Sequence, residues 1–232
     1  EELTLSEQNR IISEIHEKLQ QTGLAVSGEN NPSRWETGWR EVLESINDNG
    51  FNPSLLKPQY FQYEILRFNR NFIKSSYDDF EYDLFTILRK IIFKKYLSPY
   101  SKIIELGCGT GSNLYVMRKL FPEVTLMGFD WVQSSLKILE IISQNVPKEI
   151  ESGHFNMLTL EGKENIPIDQ ETAVITIHAM EQLANSFLPV LNYILAKKPG
   201  IVVHLEPILE LYDPKNILDD LAIKWHKKRN YL

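Results

Sequence analysis

A single cysteine, Cys108, stands among 232 residues, so no disulfide can close within the chain and nothing points to an oxidising compartment. No apolar run approaches the roughly 18 to 20 residues needed to cross a bilayer. The opening Glu1-Glu2-Leu3-Thr4 is acidic and polar, unlike a secretory leader, which starts basic and turns apolar. Cationic excess is missing as well. The formal net charge is −6, whereas surfaces built for phosphate backbones carry a basic field. These absences predict a cytoplasmic protein with no membrane partner and no nucleic-acid partner. Internal repeats and low-complexity tracts are also lacking.

What the chain does have is apolar material. Hydrophobic residues make up 43% and aromatic residues 11%, enough for one sizeable core. The length suits one domain with an appendage better than two domains.

Thr4 and Glu7 have the spacing of a capping box, and Ile11, Ile12, Ile15 and Leu19 recur at helical spacing up to Gly23. The polar stretch from Ser27 through Asn30 to Pro32 reads as a loop. Trp35, Trp39, Val42, Leu43 and Ile46 then predict a second amphipathic helix ending near Gly50. From Phe51 to Tyr100 the chain is dense in aromatic rings, and Tyr82 to Tyr96 predicts a helix with Leu84, Phe85, Leu88, Ile91 and Ile92 facing inward. Two readings fit the rings: packing between helices, or a lid over a substrate or adenine pocket. Arg67 and Arg70, set among them, fit either a solvated helix face or an anionic substrate group. Residues 1–100 are therefore expected to form an N-terminal helical, aromatic-rich lid, and residues 101–232 a second region of different texture.

That second region alternates short apolar strands with helices, the mark of a parallel sheet with crossover helices. Strands are expected at Lys102–Leu106, Val124–Asp130, Glu149–Asn156, Ala173–Ile177 and Ile201–Leu205. Helices are expected at Asn113–Phe121, Ser134–Asn145, Gln182–Lys198 and Asn216–Arg229. The basic end of the last helix suits the helix dipole. The fold class is α/β, a doubly wound, mostly parallel sheet.

Between the first strand and the first helix lies Glu105-Leu106-Gly107-Cys108-Gly109-Thr110-Gly111-Ser112. Glycines there let backbone approach a ligand, and the helix that follows offers unpaired N–H groups. The dinucleotide fingerprint G-x-G-x-x-G/A is not met, because its last position is Ser112. Asp130 ends the second strand about 20 residues later, where Rossmann-type folds carry an acidic residue against ribose hydroxyls. Its other reading is a helix N-cap. Trp131 fits an adenine contact or the core.

The E-x-G-x-G-x-G pattern of Glu105, Gly107, Gly109 and Gly111 resembles motif I of the class I, Rossmann-like S-adenosylmethionine-dependent methyltransferases. The resemblance covers about Ser101 to Pro207. It implies S-adenosylmethionine as cofactor, with Gly107, Cys108, Gly109 and Gly111 flanking its methionine part and Glu105 facing its amino group. It also implies an acceptor for the adenine amine at the end of the third strand. No Asp or Glu stands there, and Asn156 is the candidate. The family usually ends its sheet with an antiparallel strand hairpin, for which Asn230-Tyr231-Leu232 is too short. The expectation is a C-terminally truncated chain that continues into such a hairpin, or else a second copy in a homodimer covering the last strand.

The methyl acceptor should sit outside the carboxyl ends of the strands. His178 and Glu181 after the fourth strand form the natural base or orienting pair, with Glu206 after the fifth as a second carboxylate. His178 also fits a cofactor contact, Glu181 a helix cap, and Glu206 a lysine partner. The spacing of these residues with His204 matches no metal site, and none is expected. The Asn/Asp-Pro-Pro-Tyr/Phe tetrapeptide of many nucleobase-methylating enzymes is absent. The function expected is methyl transfer to oxygen or nitrogen of a small molecule such as a sugar, lipid or natural-product intermediate. The alternatives are a protein or RNA methyltransferase and a non-catalytic cofactor-binding protein of the same fold.

Overall fold

Five strands with alternating residues on two apolar faces form the centre of the computed structural model, which describes residues 1–29, 31–61 and 63–231. Asn30 of the expected loop and the terminal Leu232 lie outside the described residues. In chain order the elements are α1 (Leu5–Gln20), α2 (Ser33–Asn49), β1 (Ile65–Phe68), β2 (Asn71–Lys74), α3 (Phe80–Tyr96), β3 (Lys102–Leu106) and α4 (Ser112–Leu120). There follow β4 (Thr125–Asp130), α5 (Gln133–Gln144), β5 (Ile150–His154), β6 (Thr172–Ile177), α6 (Leu188–Lys197), β7 (Ile201–Leu205) and α7 (Ile217–Arg229).

Strands β3 to β7 pair in parallel in the order β5-β4-β3-β6-β7. The chain starts in the middle and winds outward in both directions, so the sheet is the doubly wound α/β sheet the sequence predicts, and its order reverses beside β3. Successive side chains leave a strand on opposite faces. Ile103, Leu126 and Ile175 join Val42, Ile46, Phe93 and Leu97 of α2, α3 and the turn after α3 on one face. Ile104, Met127 and Val174 meet Val190 and Ile194 of α6 on the other.

Four local expectations are corrected. The first hundred residues are not all helical: β1 and β2 form an antiparallel hairpin within the aromatic segment. Arg67 and Arg70 therefore lie on a strand and its turn, and both pair with the buried Asp219 of α7. Helix α3 buries Arg89 and Phe93, while Leu88 and Ile91 are exposed. Its face is turned because Arg89 reaches inward to Asn113. The helix expected from Gln182 to Lys198 is broken at Ala184 (φ 48, ψ −135), and α6 starts only at Leu188 with Pro189 in its first turn, where a residue without an N–H fits best. Finally, α7 does not lie on the sheet as a crossover helix. Its Leu218 and Leu221 cluster with Leu3, Ile11 and Phe72 of the N-terminal region.

Helix α2 is fastened to the sheet layer by a cap that no local pattern announces. The N-cap residue of α5, Val132, has no side chain able to cap it. Glu36 of α2 does so instead, accepting from Ser134 Oγ at 2.6 Å and Ser134 N at 3.1 Å. A carboxylate at a helix N-terminus also suits the dipole. Burial alone would raise the Glu36 pKa, but the bonds from Ser134 and the charge of Arg40 outweigh it and hold it below the ordinary value. Because the folded-state pKa is the lower one, this contribution is present at neutral pH and lost as pH falls through it. Glu36→Ala is expected to cost about 1 kcal/mol at pH 7, as lost N-terminal caps do. The deficit, read by urea unfolding, should shrink below the ordinary carboxylate range. An equal loss at pH 7 and pH 3 would exclude the charged cap.

Candidate functional site

The carboxyl ends of β3, β4 and β6 open on a cavity of about 630 Å³, within the usual range of small-molecule sites. A second hollow of the same volume between α5 and β5 is more open and is lined by Glu140, Glu149 and Glu151, with no aromatic ring. The first lies at the switch in strand order, where ligands of such sheets bind.

The glycine loop forms the floor. Gly107, Gly109 and Gly111 all have positive φ, at 73°, 53° and 71°, a region that favours glycine. Gly107, Cys108 and Gly109 line the cavity, whereas Gly111 does not. A Cβ on Gly111 would stand 2.6 Å from Leu139 and 2.8 Å from Ile142, so this glycine serves the packing of α4 against α5. A Cβ on Gly109 would meet the Trp39 ring at 3.0 Å; helix α2 comes down directly onto the loop. Thr110 Oγ1 ties the loop to the segment between α2 and β1 by donating to Leu56 O at 2.8 Å. The Cys108 thiol is pushed well up in pKa by burial and the nearby Asp130 and Glu105 carboxylates, and it packs as an inert group.

Asp130 ends β4 at 5% exposure. Its Oδ2 accepts from Gly109 N at 2.9 Å, and its Oδ1 from Trp131 N at 2.8 Å and Val132 N at 3.3 Å. Burial raises its pKa against these bonds. Ser135 Oγ donates to Gly109 O from the other side. Asp130 thus pins the loop and organises the start of α5 while still facing the cavity, as does Trp131.

Glu105 is fully buried, behind the cavity wall. Its Oε1 accepts from Asn113 Nδ2 at 2.5 Å, and its Oε2 has no partner. Burial pushes its pKa up to about 8. Arg89 donates to Asn113 Oδ1 and, at 2.6 Å, to Thr86 Oγ1, and packs under the rings of Tyr82 and Phe85. A chain of polar contacts therefore runs from α3 through Asn113, which lines the cavity, to Glu105.

Asn156 reaches the cavity after β5, but its Oδ1 already accepts from Leu158 N at 2.9 Å and Thr159 N at 3.3 Å. The oxygen expected to meet an adenine amine is therefore engaged in a local turn, as asparagine commonly is in loops.

His178 and Glu181 sit together on the turn after β6, with His178 Nδ1 3.6 Å from Glu181 Oε1. The His178 backbone is left-handed, at φ 54°, and its ring packs against Phe85 and Tyr60. Burial works against a charge on His178, but Glu181, with Glu206 beyond it, outweighs both burial and the opposing charge of Arg89 and raises its pKa. Glu206 does not line the cavity. It accepts from Thr176 Oγ1 at 2.8 Å, Ala179 N at 3.2 Å, Met180 N at 3.1 Å and Glu181 N at 3.4 Å. Its place is beneath the turn that carries His178 and Glu181, and where a lysine partner is considered for it, the Thr176 hydroxyl and three backbone N–H groups stand instead. Among the described residues, no three His, Cys, Asp or Glu side chains gather to hold a metal.

Glu81, Trp225, Arg229 and Tyr231 of the wall carry no site signal in the sequence, whereas Tyr60 and Phe61 belong to the aromatic stretch for which a pocket lining is one of the two readings. Glu81 of α3 joins the cavity with a buried, unpartnered Oε2; burial raises its pKa while the nearby His178 works to lower it. Tyr60, which packs on His178, and its neighbour Phe61 line the cavity, and Trp225, Arg229 and Tyr231 enter it from α7 and the turn that follows. Only the fold brings these segments together.

No model of a known protein family matches the chain, and no curated protein matches it. Solved structures do. The [4+2]-cyclase SpnF is similar at 11% identity and TM-score 0.48, over 80% of this chain and 59% of that one. Coclaurine N-methyltransferase, bound to N-methylheliamine and SAH, is similar at 15% identity and TM-score 0.48, over 86% and 52%. The plantazolicin methyltransferase BpumL, in complex with a monoazolic desmethylPZN analog and SAH, gives 14% and 0.43, over 97% and 74%. The chain spans about half the length of the first structures it matches. Likenesses this slight carry no argument, so the chemistry has to come from this chain's own residues.

Glu181→Gln is expected to lower the His178 pKa, since Glu181 is the main group raising it and Arg89 then acts with less opposition. A proton NMR titration of the His178 ring reads this directly. An unchanged or higher midpoint would mean that the two side chains do not act as a pair.

Proposed function

We propose that this chain is an S-adenosylmethionine-dependent methyltransferase with a small-molecule acceptor. The observation that carries the reading is the junction at the carboxyl ends of β3 and β4. There a left-handed glycine loop, pinned at Gly109 by Asp130, opens on the same cavity as the His178–Glu181 pair. The motif at that junction is the one that resembles class I methyltransferases.

The residues fit such a cofactor chemically. Gly107 and Gly109 present backbone without side chains. Asp130 Oδ2 accepts one bond within the chain and keeps a lone pair for a ribose hydroxyl. Trp131 offers a ring to adenine. The orphaned Oε2 of Glu105, behind Asn113, suits an ammonium group. When bound, the cofactor supplies an electrophilic methyl on a sulfonium. The chain's part is to hold the acceptor atom in line, keep water away with the rings of Trp39, Tyr60 and Phe61, and take a proton on His178 or Glu181. Glu206 is a positioning residue for that pair.

A cavity walled by rings favours a small acceptor over a macromolecular one, and the net charge of −6 disfavours nucleic acid. No helix among the described residues is long and apolar enough to cross a membrane, and a cytoplasmic location belongs to the same proposal.

Calorimetry with S-adenosylmethionine and with NAD tests the reading. The first should bind and the second should not; the reverse would move the chain to the oxidoreductases. Asp130→Ala should weaken S-adenosylmethionine binding by about 1 to 3 kcal/mol, the worth of charge-assisted hydrogen bonds. Candidate acceptors are then screened for release of S-adenosylhomocysteine, and binding without any turnover across the screen would favour a non-catalytic role.

Proton linkage supplies an independent check. With a pKa of about 8, Glu105 is mostly protonated at pH 7. A cationic amino group arriving nearby lowers that pKa, so binding should release about one proton per ligand and tighten as pH rises towards 8. Calorimetry in buffers of different ionisation enthalpy measures the release, and Glu105→Gln should abolish it. Proton uptake, or release that persists in the variant, would remove Glu105 from the site.

A further inference from the structure

Arg229, the last residue of α7, is 9% exposed and forms part of the cavity wall. Its Nε and Nη2 are buried without a hydrogen-bond partner, and among the described residues no carboxylate pairs with it. The rings of Trp225 and Tyr231 flank the guanidinium at 5.6 and 5.1 Å. Cation–π contacts of this kind hold the plane in position, but they leave the N–H edge without an acceptor. Burying a cation and its donors unpaired is costly, which makes recognition of an anion the plainest account of this residue. Glu181, the carboxylate on the turn after β6, is already shared between His178 and Gln182.

The surroundings indicate which end of the cavity this is. Ser27 N donates to Arg229 O at 2.8 Å, and Gly28 N donates to Gln182 O at 2.9 Å. Asn230 Nδ2 donates to Ser27 O at 3.1 Å. Through these bonds Arg229 is stitched to the turn that carries His178 and Glu181, the acceptor side, and not to the Gly107–Gly109 loop.

We infer that Arg229 recognises a carboxylate on the methyl acceptor, whose flat apolar body lies against Trp225, Tyr231 and Tyr60. The word acceptor rests on the methyltransferase reading, whereas the anion seat itself rests on Arg229. A guanidinium presents two parallel N–H bonds that match a carboxylate, which an ammonium cannot do.

Benzoate and benzamide, alike in shape and different in charge, are the probes. Their binding is followed by tryptophan fluorescence and by the Arg229 Nε–H resonance, with and without S-adenosylhomocysteine. Benzoate is expected to bind at least about tenfold tighter than benzamide and to move that resonance. Arg229→Met should erase the preference and Arg229→Lys should keep part of it. The Met variant should fold with an unchanged or higher Tm, because it removes an unpaired buried charge. Equal binding of the two probes, or a preference that survives in Arg229→Met, overturns the proposal. Weaker S-adenosylhomocysteine binding in Arg229→Met also overturns it, since the guanidinium would then serve the cofactor's own carboxylate. Failure of S-adenosylhomocysteine to bind the unaltered chain is a different result: it overturns the methyltransferase reading, while the benzoate preference is still read on the ligand-free protein.

Discussion

At the end of β4 one carboxylate receives the N–H groups of Gly109, Trp131 and Val132, and three segments depend on that meeting. The glycine loop has left-handed backbone that would otherwise sample many conformations. Asp130 fixes it from one side and Ser135, through Gly109 O, from the other. The same carboxylate organises the start of α5, so the helix, the loop and the strand end share one reference point. Charge buried at this depth is tolerated because each oxygen has a donor. Everything that enters the cavity meets a floor already set by these bonds.

What sequence could reveal follows from the range of the interactions involved. Strands β3 and β7 have the expected ends because apolar runs and turn residues are local signals. The glycine loop was legible for the same reason: its meaning lies in a strand before it and a helix after it. Leu88 and Ile91 were assigned inward by periodicity, but Arg89 turns α3 toward Asn113, and a buried arginine is invisible to a hydrophobic pattern. The β1–β2 hairpin was hidden among aromatic residues, and the pairing of its arginines with Asp219 spans more than half of the chain. The four donors that converge on Glu206 cannot be read from its neighbours in sequence.

The cavity divides its work between two kinds of wall. The sheet side is polar, backbone-rich and hydrogen-bonded within itself, as at Asp130 and Asn156. The opposite side is rich in aromatic rings from α2, the segment between α2 and β1, and the far end of α7, with Glu81 of α3 among them. Three of the residues with unpaired buried polar atoms, Glu81, Glu105 and Arg229, lie at or just behind this seam. Low effective dielectric makes such atoms expensive when idle and strong when engaged, and so they mark where a ligand gains most.

The stitching of Ser27 and Gly28 to Gln182, Arg229 and Asn230 has a consequence for the order of events during synthesis. Asn230 and Ser27 lie 203 positions apart, so the loop before α2 leaves the ribosome long before its partners exist. The sheet can be assembled once β7 has emerged, yet the aromatic wall stays open until α7 follows. Contacts of such long range are also among the slowest to form. A nascent chain stalled before α7 would carry a complete glycine loop and an unfinished chamber, and the last turn of α7 is the piece that closes it.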